Sequence, residues 1–171
     1  LARGMHQPAR YMSKFQDNIF VYDFQWGGTK GSKVDFVLGA SHVNELGYFY
    51  FGGEWDWMGE GLSLTKDNEK ARHALAHAML TYLAQFLHNG NPNGKADLPR
   101  WKAWTNDPDG VKAINLDTSS EPGSSELKVY MTKREYTRDD AIRELEDAKD
   151  ETASRWAKIL SPSSFVKKEC H

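Results

Sequence analysis

The stretch NIFVYDFQW, residues 18–26, constrains this chain more than any other, because it is apolar at nearly every position and dense in β-branched and aromatic side chains. A strand with one wet face alternates apolar with polar residues, whereas a strand covered on both faces reads as a continuous apolar run. The run therefore predicts a central strand of a mostly parallel sheet, and with it an α/β fold. The chain has 171 residues, enough for one domain with a sizeable core and too few for two ordinary ones. Its 39% apolar content, with 14 glycines besides, is that of a globular protein and not of a disordered one.

Charge and cysteine usage exclude several classes of partner. Lysine and arginine number 22 against 24 acids, so the net charge of -2 gives no electrostatic reason to expect nucleic acid or an anionic membrane. The lone cysteine, Cys170, has no partner for a disulfide within the chain, which leaves the redox compartment open. No apolar run reaches the ~20 residues of a membrane span. No basic-then-apolar leader precedes Leu1, and the start without methionine, inside helix-like sequence, is that expected of the interior of a longer protein.

The remaining elements follow from periodicity and turn chemistry. MHQPARYMSKF predicts a short helix ending near Asp17, with Pro8 in its first turn. GGTKGSK is a turn, ELGYFYFGG a short helix or strand, and GGEWDWMGEGL a glycine-rich loop. From Asp67 to about His88, Ala71, Leu75, Ala78, Tyr82 and Phe86 recur at helical spacing, and Asn89-Gly90 supplies a C-cap. NPNGKADLPRW is a loop, and VKAIN and LKVYM are two short strands. Thr137, with Asp140 three places on, opens an amphipathic helix through Ile142, Leu145, Ala148, Trp156 and Ile159 to about Leu160. Residues 1–160 thus form one folded section, and residues 161–171 a frayed tail.

Three constellations compete for a functional role. HALAH sets His73 and His77 one turn apart on a helix face, the spacing of two zinc ligands, but Ala74 stands where a zincin has its glutamate and His88 lies about 16 Å further on at ~1.5 Å per residue. No metal or other cofactor is expected. Trp55 and Trp57, with Tyr48, could stack on a ligand, which is the alternative reading of the chain as a non-catalytic aromatic module binding carbohydrate or protein. LGASHVNEL, residues 38–46, places His42 on a loop after the buried strand, where an α/β sheet carries its chemistry.

LGASHVNELGYFYFG, YLAQFLHNGNPNG and LPRWKAW, in that order, resemble the C-terminal part of the type-B carboxylesterase family, the cholinesterase-like branch of the α/β-hydrolases. The resemblance runs from about Pro8 to Leu116 and implies the last strands of a mostly parallel sheet with flanking helices. It puts His42 on the catalytic histidine of a Ser-His-Glu/Asp triad and Glu45 on an acidic residue that supports the site from behind. Leu38, Val43, Asn44, Trp55 and Trp57 become candidate pocket residues, and the substrate a small-molecule ester. No Gly-x-Ser-x-Gly elbow occurs in the chain, and in GASHV the serine and histidine are adjacent, with side chains diverging. The nucleophile and triad acid are therefore expected from an upstream portion, with this chain inactive by itself. The sequence leaves the compartment open; the resemblance implies a secreted or periplasmic one.

Overall fold

The computed structural model describes residues 5–27, 40, 43–55, 64–94 and 97–147 of the protein. They form α1 (Gln7–Met12), β1 (Tyr22–Phe24), α2 (Asn44–Phe51), α3 (Glu69–Asn89), β2 (Ala113–Thr118), β3 (Leu127–Thr132) and α4 (Arg138–Asp147). These elements fall into two compact units, Arg10–Arg134 and Leu1–Ala9 with Glu135–His171. The expected tail at 161–171, and the expected helix beyond residue 147, lie outside the described residues.

The larger unit is built on a mixed sheet ordered β1-β2-β3. β1 pairs with β2 in parallel, Tyr22 opposite Ile114, and β2 pairs with β3 antiparallel, Leu116 opposite Val129. The parallel pairing of β1 is as expected; among the described residues β1 lies at the edge of the sheet. β2 occupies the middle, and its Ala113, Ile114 and Leu116 are buried. β1 is also wetter on one side than expected. Phe20, Tyr22, Phe24 and Trp26 all turn to one face, where Tyr22 meets Phe49 edge-on at 5.6 Å and Phe24 and Trp26 meet Tyr48 at 5.1 and 5.2 Å. On the alternate positions Val21 is buried, Asp23 half-buried and Gln25 exposed, because cover on that face gives out toward the end of the strand.

The backbone of β1 has a further consequence. Ile114 N–H donates to Val21 O at 2.9 Å and Gln25 N–H to Leu116 O at 3.0 Å, so the odd-numbered residues engage β2. The N–H and C=O groups of Tyr22 and Phe24 point to the opposite edge, which no strand covers among the described residues.

α3 packs its buried stripe across β2 and β3, with Leu75 and Met79 fully enclosed. Its end is set by Gly90, whose φ of 66° lies in the left-handed region and whose N–H donates to Phe86 O at 2.7 Å, the expected αL cap. The Tyr82 hydroxyl donates to Pro99 O at 2.5 Å, and burial pushes its pKa up to about 12 from 10.0. Since ionisation is favoured in the unfolded chain, stability is fully present below pH 10, falls as pH rises from there toward 12, and the loss amounts to the order of 2 kcal/mol. In Tyr82→Phe that alkaline loss should disappear, measurable as a flatter denaturation midpoint between about pH 10 and 12. An unchanged alkaline slope in the variant would remove Tyr82 as its cause.

Just ahead of β2, Lys112 is one of the largest fully buried side chains, with its ammonium donating to Thr105 O at 2.7 Å and Asp107 O at 2.6 Å. In the smaller unit, Thr137 and Asp140 open α4 as the sequence implied. The Asp140 carboxylate accepts from Thr137 N–H at 2.8 Å, and Asp140 N–H donates back to Thr137 Oγ1 at 3.2 Å.

Candidate functional site

The expected site centres on the loop into α2. His42 and Leu38 lie outside the described residues, as does Trp57. Val43, Asn44, Glu45 and Trp55 are described, and the first three form the entry to α2.

Val43 occupies the position before α2 with φ 82° and ψ -16°, the only non-glycine residue at positive φ among the described residues. For a β-branched side chain that conformation costs on the order of 1–3 kcal/mol, and such strain persists where surrounding structure holds it. It sits directly after His42. Val43 O accepts from Leu46 N–H at 3.0 Å, which starts the helix in spite of the strain. Glu45 lies in the first turn, where the partial positive charge of the helix N-terminus favours a carboxylate.

Glu45 has a neighbour that sequence reasoning missed. The Tyr22 hydroxyl is held above its usual pKa chiefly by burial, then by the charge of Glu45 and by Tyr50. The Tyr22 ring packs on Phe49, one helical turn beyond Glu45, so the strand before the loop and the helix after it converge at this point. In the sequence the two residues are 23 positions apart, and only the return of α2 onto the even-numbered face of β1 joins them.

The aromatic loop behaves differently from the expectation of a stacking platform. Tyr48 is 3% exposed, inside the core against Phe24 and Trp26, and is not available to a ligand. Trp55 stacks on Phe51 with centroids 5.8 Å apart and planes at 28°, and both rings keep an outer face.

The helix histidines are used structurally in part. His73 Nε2 is hydrogen-bonded to the Glu54 carboxylate, which also takes Arg72 Nη1 at 3.4 Å. The buried Arg72 further donates to Gly53 O, and from Nε to Asn68 Oδ1 at 2.8 Å. The exit of α2 is thereby tied to the first turns of α3. Glu54 is held below its ordinary pKa, first by the His73 hydrogen bond, with Arg72 adding to it. Among the described residues no group of three or more His, Cys, Asp and Glu side chains could hold a metal ion, and no helix is long and apolar enough to cross a membrane.

Residues 1–137 match the family model described as the carboxylesterase family. Carboxylesterase 4A of Bos taurus is 30% identical over 117 residues, an alignment covering 68% of this chain and 19% of that protein. The chain spans about a fifth of the length of that curated relative.

Proposed function

This chain belongs to the carboxylesterase family, which implies the α/β-hydrolase fold and ester substrates, and we propose that it supplies the histidine general base of a serine-dependent ester hydrolase. The observation that carries the reading is the family match across residues 1–137, which takes in the whole LGASHVNEL loop. His42 is the base. A neutral imidazole titrating near pH ~6.5 accepts the serine proton as the serine oxygen bonds to the ester carbonyl carbon. It then returns that proton to the departing alkoxide, and a water repeats the cycle to release the carboxylate. The nucleophile, the oxyanion donors and the triad acid come from an upstream portion of the same protein. Glu45 supports the loop from the helix start, and Leu38, Val43, Asn44, Trp55 and Trp57 border the pocket.

Two features of the chain support this division of labour. The strained Val43 backbone fixes the exit of the histidine loop, an arrangement whose cost is out of place in a loop that only connects. The outer edge of β1 offers the N–H and C=O groups of Tyr22 and Phe24 to a further strand, as an α/β sheet continued by upstream sequence requires.

The test is complementation. The 171-residue chain alone should hydrolyse p-nitrophenyl esters no faster than buffer and take no label from a fluorophosphonate, since a base without its nucleophile and oxyanion hole activates only water. Supplied with the upstream portion as a second chain, it should co-elute in size-exclusion chromatography, through an interface above roughly 2,000 Å², with ester hydrolysis in the same fraction. Stoichiometric labelling of a serine in the lone chain, with turnover, would overturn the reading.

A further inference from the structure

We propose that the groove between the second half of α3 and the loop residues 92–94 and 97–100 binds a small monocarboxylate with an apolar body. The groove has a volume of about 300 Å³ and is lined by Thr81, Tyr82, Pro92, Asn93, Leu98 and Arg100 among others. That is the lower end of ligand-sized pockets. At roughly 30 Å³ per water displaced it corresponds to a ligand of about ten non-hydrogen atoms.

Both walls are fixed before any ligand arrives. Asn93 Oδ1 accepts from Trp101 N–H at 2.8 Å while its Nδ2 donates to Trp101 O and Asn91 Oδ1, each at 2.8 Å. Tyr82 ties its hydroxyl to Pro99 O across the groove. Gly94 lets the loop lie against the helix, since a Cβ there would come within 2.6 Å of the Gln85 side chain. A preformed groove loses little entropy on binding.

Its chemistry selects the ligand. Pro92, Leu98 and the Tyr82 ring supply apolar wall. The polar groups around them are mostly committed: the Asn93 amide is saturated by its loop, and the Thr81 hydroxyl donates to His77 O at 2.7 Å. Arg100 is the exception, exposed and with no hydrogen bond or ion pair to any described residue. One unpaired guanidinium over an apolar wall matches one carboxylate with a short hydrocarbon body, held by a bidentate pair at one end. Octanoate has about the right number of atoms, and at the efficiency usual for such ligands its affinity should fall near the millimolar range.

The experiment is a titration of the complete protein with octanoate, octanol and acetate, followed by ligand-observed NMR saturation transfer, after treatment with a fluorophosphonate to close any serine esterase site. Octanoate should bind most tightly, and Arg100→Gln should weaken it about tenfold or more while leaving octanol unchanged, as loss of a charge-assisted pair demands. Because Arg100 has no hydrogen-bond or ion-pair partner among the described residues, the variant should melt with the parent. Equal octanoate binding in parent and Arg100→Gln protein, or equal binding of octanoate and octanol to the parent, would overturn the proposal. Binding requires no nucleophile, so failure to label with fluorophosphonate would count against the esterase reading and leave this result standing.

Discussion

His42→Ala in the complete enzyme is expected to lower kcat by at least ~10³-fold with little change in KM. The proposed base acts mainly in the transition state, where the triad works as a unit. Removing it leaves the binding surface intact and strands the serine with its proton. Glu45→Ala should cost far less, because in the proposed mechanism that carboxylate, in the first turn of α2, does not itself take the proton. Paired steady-state measurements on the two variants, with circular dichroism to establish folding, separate the roles. Two small and similar losses would make His42 a structural residue and the proposed mechanism wrong.

The neighbourhood of His42 explains why the loss should be chemical and not conformational. Val43 takes up the left-handed backbone and Leu46 N–H closes the first turn on it, so the start of α2 is held by main-chain geometry that an alanine one residue earlier does not remove. The Tyr22 ring against Phe49 anchors the same helix to β1. In the proposed reading Leu38 and Trp57 border the pocket, and substitutions there are expected to move KM more than kcat.

What the sequence made legible was local. α3 was readable because Leu75, Tyr82 and the Asn89-Gly90 cap all point to one helix, and α4 because Thr137 and Asp140 are three apart. β1 was misjudged for a reason that is itself in the sequence. Tyr22-Asp23-Phe24-Gln25-Trp26 alternates apolar with polar, the period of a strand with one open face, but Phe20-Val21 ahead of it makes the whole run look continuous. The order of strands was not legible at all, since β1 and β2 are separated by some ninety residues and a register between them leaves no local mark. The same holds for the site. Glu45 was reachable from the loop motif, whereas Tyr22 beside it, the Glu54-Arg72-His73 cluster and the Arg100 groove depend on tertiary approach. His73 shows the limit of spacing rules: its separation from His77 suited a metal, but its imidazole is hydrogen-bonded to Glu54 across from the preceding loop.

Lys112→Ala is expected to destabilise the protein by about 3–5 kcal/mol, as large an effect on the fold as His42→Ala should have on the chemistry. The side chain is 1% exposed and its ammonium lies 5.0 Å from the Trp104 ring centroid, between the carbonyls of Thr105 and Asp107. Truncation opens a cavity as long as the lysine stem and takes a donor from Thr105 O and from Asp107 O, the second of which keeps Gly110 N–H at 3.0 Å, so a packing cost and a desolvation cost fall together. Those carbonyls belong to the turn leading into β2, and the next anchor in the chain is Asn106, whose Oδ1 takes Trp104 Nε1 at 2.9 Å while its Nδ2 donates to Arg10 O at 3.2 Å. Loss of the ammonium should therefore loosen the approach to the central strand together with its tie to the end of α1. Lys112→Met refills most of the volume without the charge, and should recover the packing part, leaving a loss of about 1–3 kcal/mol. Urea denaturation of the three proteins gives both terms. Indistinguishable Ala and Met variants would mean that packing of the lysine stem contributes nothing, a Met variant as stable as the parent that the hydrogen bonds contribute nothing, and a loss below ~0.5 kcal/mol in Lys112→Ala that the cage is not a structural element. In the complete enzyme, below its denaturation midpoint, each variant should retain the parent kcat per folded molecule, because the lysine holds the approach to β2 and has no part in the proposed proton transfer.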